Sequence, residues 1–261
     1  MIKIWTFLVV VIISGSAWAK NTCSDIHLAQ SYPPVSTSNG TICFVRERAV
    51  DPKTRTPIDA DAISLYWISD GAAPVRSDGR GLLYDDSPGK IIDAFALSVG
   101  RDKKEMLFVI HSMKIRESLV EPNSSGIFFS IAVFDLVGSS LRRAERASEW
   151  FGVDYSWLSD GKRRIYKFPY QSRSDVMRAM YSPFISLMVR DGNISAQVIK
   201  RSYLHESPNI KDRTREYLIE GDQVVVEKTT AGWCKINYYG GKNPLEAWLM
   251  CDALGVNKKM N

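Results

Sequence analysis

The chain has 261 residues, 45% of them hydrophobic, 24% charged and 11% aromatic, with a formal net charge of +5. That balance excludes a disordered chain, which would be poorer in apolar residues and more one-sided in charge. One apolar run, at the very start, excludes a polytopic membrane protein, and 34 Lys+Arg scattered against 29 Asp+Glu make no case for nucleic acid.

Lys3 supplies a positive charge, Phe7 to Ile13 is an unbroken apolar stretch, and Ala17-Trp18-Ala19 fits the small-x-small cleavage rule. The apolar stretch is shorter than the roughly 20 residues a bilayer span requires. A signal peptide of bacterial style is therefore expected over residues 1–19, with Lys20 as the mature N-terminus, periplasmic localisation and no membrane span after cleavage. Cys23 follows Lys20-Asn21-Thr22 rather than small apolar residues, so lipid attachment is not expected. An oxidising compartment turns the four cysteines into a disulfide set, and they fall as two local pairs, Cys23 with Cys43 and Cys234 with Cys251.

Residues 20–60 read as irregular, with Tyr32-Pro33-Pro34, Ser36 to Gly40 and Asp51-Pro52-Lys53 as turn chemistry around one strand, Thr41 to Arg48. From residue 62 the apolar runs are short and rich in β-branched and aromatic residues: Ala62 to Ile68, Ile91 to Val99, Glu105 to Ile115, Ile127 to Leu136 and Arg164 to Phe168. Leu141 to Phe151 and Ser174 to Tyr181 are the helix candidates, the latter with Ser172 or Ser174 as its cap. Ile185 to Val189 and Ala196 to Arg201 flank Asp191-Gly192-Asn193 as an expected hairpin. The chain is expected to be mainly β: a β-rich domain over 20–201, a sandwich or curved sheet with one or two short helices, then a second unit over 202–256 and a tail at 257–261.

In that second unit Gly232 to Tyr239 and Ala247 to Cys251 alternate like strands around a turn at Gly240 to Pro244. Placing Cys234 opposite Cys251 puts Ile236 opposite Leu249 and Tyr238 opposite Ala247, so one register serves both the disulfide and an apolar face. The stretches Tyr217-Leu218-Ile219-Glu220-Gly221-Asp222-Gln223-Val224, Trp233 to Tyr238 and Ala247 to Leu254 resemble a bacterial SH3 domain over about residues 203–256. The shared features are the tyrosine-leucine entry, the glycine-aspartate turn, the tryptophan opening a strand and the last tryptophan strand ending in a leucine. The resemblance implies a small SH3-like barrel that binds peptides or cell-wall components. Leu218, Ile219, Ile236 and Leu249 are apolar residues available for its core. Residues 20–201 resemble no family.

Catalytic chemistry finds little support. A Cys/His hydrolase needs a free thiolate, and the four cysteines read as disulfides. The histidines, His27, His111 and His205, have no ligand-spaced partners, and His111 sits in a strand-like run as a structural residue. Asp85-Asp86 and Asp59-Ala60-Asp61 read as solvated turn residues, and no metal, nucleotide or other cofactor is expected. Binding surfaces remain. Trp150, Tyr155 and Trp157 lie among Arg142, Arg143, Arg146 and Lys162-Arg163-Arg164, and a second aromatic set is Tyr217, Trp233, Tyr238, Tyr239 and Trp248. The expectation is a non-catalytic periplasmic protein that binds a protein or a cell-wall peptide. One specific form is an immunity or inhibitor protein against an antibacterial effector. The alternative is an envelope hydrolase whose site, around His111, assembles only on folding.

Overall fold

Strand-forming runs dominate because most apolar residues come in short β-branched or aromatic stretches, and a computed structural model of the chain is mainly β. It describes residues 22–256 apart from residues 52, 53, 55, 70, 71, 101, 102, 139 and 242. The expected signal peptide, the cleavage point and the 257–261 tail lie outside the described residues. No helix among the described residues is long and apolar enough to cross a membrane.

The first sheet is an antiparallel meander of β1 (Ala29–Thr37), β2 (Gly40–Val50), β3 (Pro57–Ser69) and β4 (Val75–Arg76). The expected irregularity at Tyr32-Pro33-Pro34 gives way to strand. β1 is an edge strand whose register shifts on both sides of Tyr32, and a ladder broken there tolerates prolines that lack an N–H. Cys23, in a short turn before β1, is bonded to Cys43 of β2 with 5.5 Å between their Cα atoms.

The second sheet joins β5 (Lys90–Val99), β6 (Lys104–Lys114), β7 (Ile127–Val137) and β8 (Ser140–Arg143) in order. Helix α1 (Glu145–Phe151) follows, and β9 (Val153–Tyr155) returns to pair with β7. The expected helix over Leu141 to Phe151 is thus half strand, because Leu141 completes a sheet edge opposite Leu136 before the chain turns. In β6 the run Met106 to Ile110 is buried at every position, which means both faces of this sheet are covered. Leu107, Val109, Ala132 and Phe134 pack against Ile42, Phe44, Leu65 and Trp67 of the first sheet, making a two-sheet sandwich. Phe108, Ile110, Ile131 and Val133 face the other way, toward α1 and the rest of the chain.

After a two-stranded ribbon of β10 (Trp157–Ser159) and β11 (Arg164–Lys167) come α2 (Arg173–Ala179) and α3 (Ser186–Val189). Ser172 caps α2, its hydroxyl accepting the Asp175 N–H. Ile185 to Val189 is therefore not a hairpin arm: Phe184, Leu187 and Met188 are apolar at helical spacing and bury together against Trp150 and Phe151. The last sheet has seven strands: β12 (Ile194–Val198), β13 (Ser202–His205), β14 (Arg213–Leu218), β15 (Gln223–Thr230), β16 (Trp233–Tyr238), β17 (Leu245–Met250) and β18 (Leu254–Gly255). Its spatial order is β14-β13-β17-β16-β15-β12-β18. The sheet begins at Ile194, ahead of the expected split near 202, because β12 pairs with both β15 and β18.

Cys234 and Cys251 are bonded with 5.1 Å between Cα atoms, but Cys234 faces Leu249, Ile236 faces Ala247 and Tyr238 faces Leu245. The expected register is two residues out. Cys251 sits just past β17, its N–H donating to the Gly232 carbonyl, and reaches Cys234 diagonally. A shift of two preserves the facing side of every residue, so the apolar face is as expected. One continuous core links the second sheet, the three helices and this C-terminal sheet.

Candidate functional site

The turn between β15 and β16 plugs into the rest of the molecule. Ala231 donates its N–H to the Phe151 carbonyl at 3.1 Å and accepts the Tyr166 hydroxyl at 3.2 Å. Trp233 lies fully buried against Tyr166, with ring centroids 6.3 Å apart, and His205 meets it edge-on at 4.7 Å. Strand β16 is central in its sheet and Trp233 is covered there, so Trp233 is core and not the binding residue expected of the second aromatic set.

Two members of the first aromatic set fail in the same way. Trp150 is buried and donates its indole N–H to the Phe184 carbonyl at 3.2 Å. Tyr155 is buried, and its hydroxyl accepts the Glu121 N–H at 2.9 Å. The polar tips that suit these residues to interfaces are spent on internal partners. Trp157 is half-buried, with the Arg164 guanidinium 5.5 Å from its ring. In the second set Tyr238 is half-buried, its hydroxyl 3.4 Å from Asp222, and Trp248 is half-buried too. Tyr239 stands 64% exposed past the end of β16, and Tyr217 is 46% exposed on β14.

Tyr217 has company that the sequence reading missed. Its cross-strand partner is Tyr203, itself 39% exposed, and the two rings meet at 5.9 Å and 70°. The Arg201 guanidinium lies 3.9 Å from the Tyr217 centroid and 5.6 Å from that of Tyr203, while Arg213 covers Tyr203 at 4.6 Å. Alternation explains the grouping: Leu204 and Leu218 turn into the core, so Tyr203 and Tyr217 turn out. The signal available in sequence was the odd-numbered series Arg201, Tyr203, Arg213, Arg215 and Tyr217.

The candidate titratable groups are otherwise engaged. His111 is buried beneath Gly89; its Nε2 donates to the Pro88 carbonyl at 3.0 Å, and burial holds its pKa below the ordinary imidazole value. His205 is buried as well, its Nδ1 donating to the Asn209 carbonyl at 3.0 Å, and burial lowers its pKa too. Asp85 is clamped by Arg116, which also reaches Asp86, and hydrogen bonding from that guanidinium holds Asp85 below the usual carboxylate range. Asp59 and Asp61 pair with Arg48 and Arg46 across the β2–β3 hairpin. Burial pushes the Asp154 carboxyl of β9 up to about 6, against the lowering effect of the Tyr155 N–H it accepts. Among the described residues no group of three or more His, Cys, Asp and Glu is placed to hold a metal ion.

The surface formed by the described residues also carries concavities. A groove of about 420 Å³ runs over Ile115, Val120 and Ile127 between Lys90 and Lys114. A cleft of about 380 Å³ lies between α1 and β15, crossed by the Arg146–Asp191 and Lys228–Glu149 ion pairs. No protein-family model, no curated protein and no solved structure matches this chain.

Proposed function

We propose that this chain is an exported, non-catalytic binding protein of the bacterial cell envelope, held by two disulfides, whose C-terminal SH3-like unit presents the surface that meets its partner. The observation that carries the reading is the exposed Tyr203–Tyr217 pair with arginines laid over both rings. Exposed tyrosines held rigid by neighbours offer large contact area at small entropic cost, which is the usual make-up of an interface anchor. Two cysteine pairs at disulfide distance favour an oxidising compartment, in agreement with the export signal read in residues 1–19. The partner is a protein or a cell-wall peptide, and inhibition of a secreted antibacterial effector is the specific form that suits such a protein. His111 favours no hydrolase, since its ring is buried and bonded to a backbone carbonyl.

The test compares the mature protein with Tyr203→Ala/Tyr217→Ala as bait for envelope extracts, with each retained partner purified and its affinity measured. The double variant should fold normally and lose about 2 kcal/mol or more of binding. Trp233→Ala and Trp150→Ala should instead lower stability by about 3–5 kcal/mol as core truncations. A partner held equally by the tyrosine variant, or turnover of peptidoglycan by the purified protein, would refute the reading.

A further inference from the structure

We infer that Arg201, Tyr203, Arg213, Arg215 and Tyr217 form the docking surface for a carboxylate-rich segment of a protein partner. The inference rests on the binding role proposed above and specifies the chemistry of the partner. Arg213, Arg215 and Tyr217 share one side of β14 by alternation, Tyr203 lies on the neighbouring strand β13 with Arg201 just before it, and ring contacts bring Arg201 and Arg213 onto that side.

Charge decides what such a surface takes. Among the described residues Arg201, Arg213 and Arg215 enter no ion pair, whereas Arg46, Arg48, Arg76, Arg116 and Arg173 each hold a carboxylate. Of the carboxylates close by in sequence, Asp212 accepts the Ser207 hydroxyl, Asp252 pairs with Lys200, Glu216 alternates to the other side of β14, and Glu206 and Glu220 lie beyond the ends of β13 and β14. Three unpaired guanidinium groups, two of them held over aromatic rings, are set to receive carboxylates with their forked donors.

Edge geometry decides how the segment lies. β14 ends its sheet, yet its register with β13 is broken between Tyr203 and His205, and the Thr214 hydroxyl accepts the Glu216 N–H at 3.1 Å. A bulged edge with a backbone donor already satisfied resists strand addition, so recognition runs through side chains. Three arginines neutralise too few phosphates to hold nucleic acid firmly at physiological salt.

The experiment is selection from a phage-displayed random peptide library on the immobilised mature protein, with the leading peptide then synthesised for affinity measurement. Enriched sequences should be rich in Asp and Glu beside an apolar or aromatic residue. The leading peptide should bind at least about tenfold more weakly to Arg201→Ala/Arg213→Ala/Arg215→Ala, whose thermal unfolding should match the parent. Its affinity should fall as salt rises from about 50 to about 300 mM. Neutral or basic consensus sequences, no enrichment, or equal affinity for the triple variant would overturn the inference. So would tighter binding of an oligothymidylate or of a soluble muropeptide than of the acidic peptide. If envelope capture works but survives in the triple variant, this surface is wrong while the binding role stands. If capture fails altogether, the role itself falls.

Discussion

Gly152 closes α1 and opens β9 at φ 70° and ψ −166°, a backbone region that essentially only glycine occupies. A Cβ built there would lie 2.6 Å from the Thr230 Oγ1 and 2.8 Å from the Ala231 backbone nitrogen. That nitrogen cannot retreat freely, because its N–H donates to the Phe151 carbonyl and so ties the β15–β16 turn to the helix. Backbone strain at such a position is worth about 1–3 kcal/mol. Loosening the buried hydrogen bond adds about 1–3 kcal/mol, so Gly152→Ala should lose about 2–6 kcal/mol in all. Urea denaturation measures this directly, with an unchanged slope showing that the same surface is exposed on unfolding. Adding Thr230→Ala removes the hydroxyl contact and leaves the backbone contact, so the double variant should recover only a minor part of the loss. A deficit below about 1 kcal/mol, or full recovery in the double variant, would refute the idea that this junction locks the C-terminal sheet onto the sandwich.

Two further outcomes follow from the same structure. Peptide mapping without reductant should find Cys23 linked to Cys43 and Cys234 to Cys251, and Cys234→Ser/Cys251→Ser should lose about 3 kcal/mol; a Cys43–Cys234 link would contradict the sheet assignments. Asp154 titrates near 6 in the folded protein against 3.8 for a free carboxyl, so the folded state binds the extra proton and stability falls as pH rises through that window. Asp154→Asn should therefore be the more stable protein at pH 7, by up to about 3 kcal/mol. Its melts should lose that part of the pH dependence, and parallel pH profiles for the two proteins would contradict the assignment.

Local chemistry made much of the fold legible in advance. The β-branched and aromatic runs predict β2, β3, β5, β6, β7 and β11, alternation predicts β16 and β17, Ser172 is one of the two caps expected for α2, and the spacing of the cysteines predicts both pairs. The β16–β17 register could slip by two without changing which residues are buried, since a strand repeats every second residue. Short apolar runs were ambiguous: Ile185 to Val189 reads equally as strand or helix, and its packing against Trp150 and Phe151 settles the matter.

The site was harder to read for a physical reason. Trp150, Tyr155 and Trp233 have the same composition as an interface anchor, a large apolar body with a polar tip, and composition does not say whether another part of the chain covers them. Sequence by itself determined the fold class, the disulfide pairs and the alternation that turns Tyr203 and Tyr217 away from Leu204 and Leu218. Only tertiary structure decided which outward faces stay open. The outer face of β16 is closed by Tyr166 and Phe168, contributed by the ribbon and the residue after it far upstream, whereas Tyr217, touched by Arg201 and Tyr203, stays 46% exposed. Coverage is set by contacts between residues distant in the chain, and no local pattern encodes it.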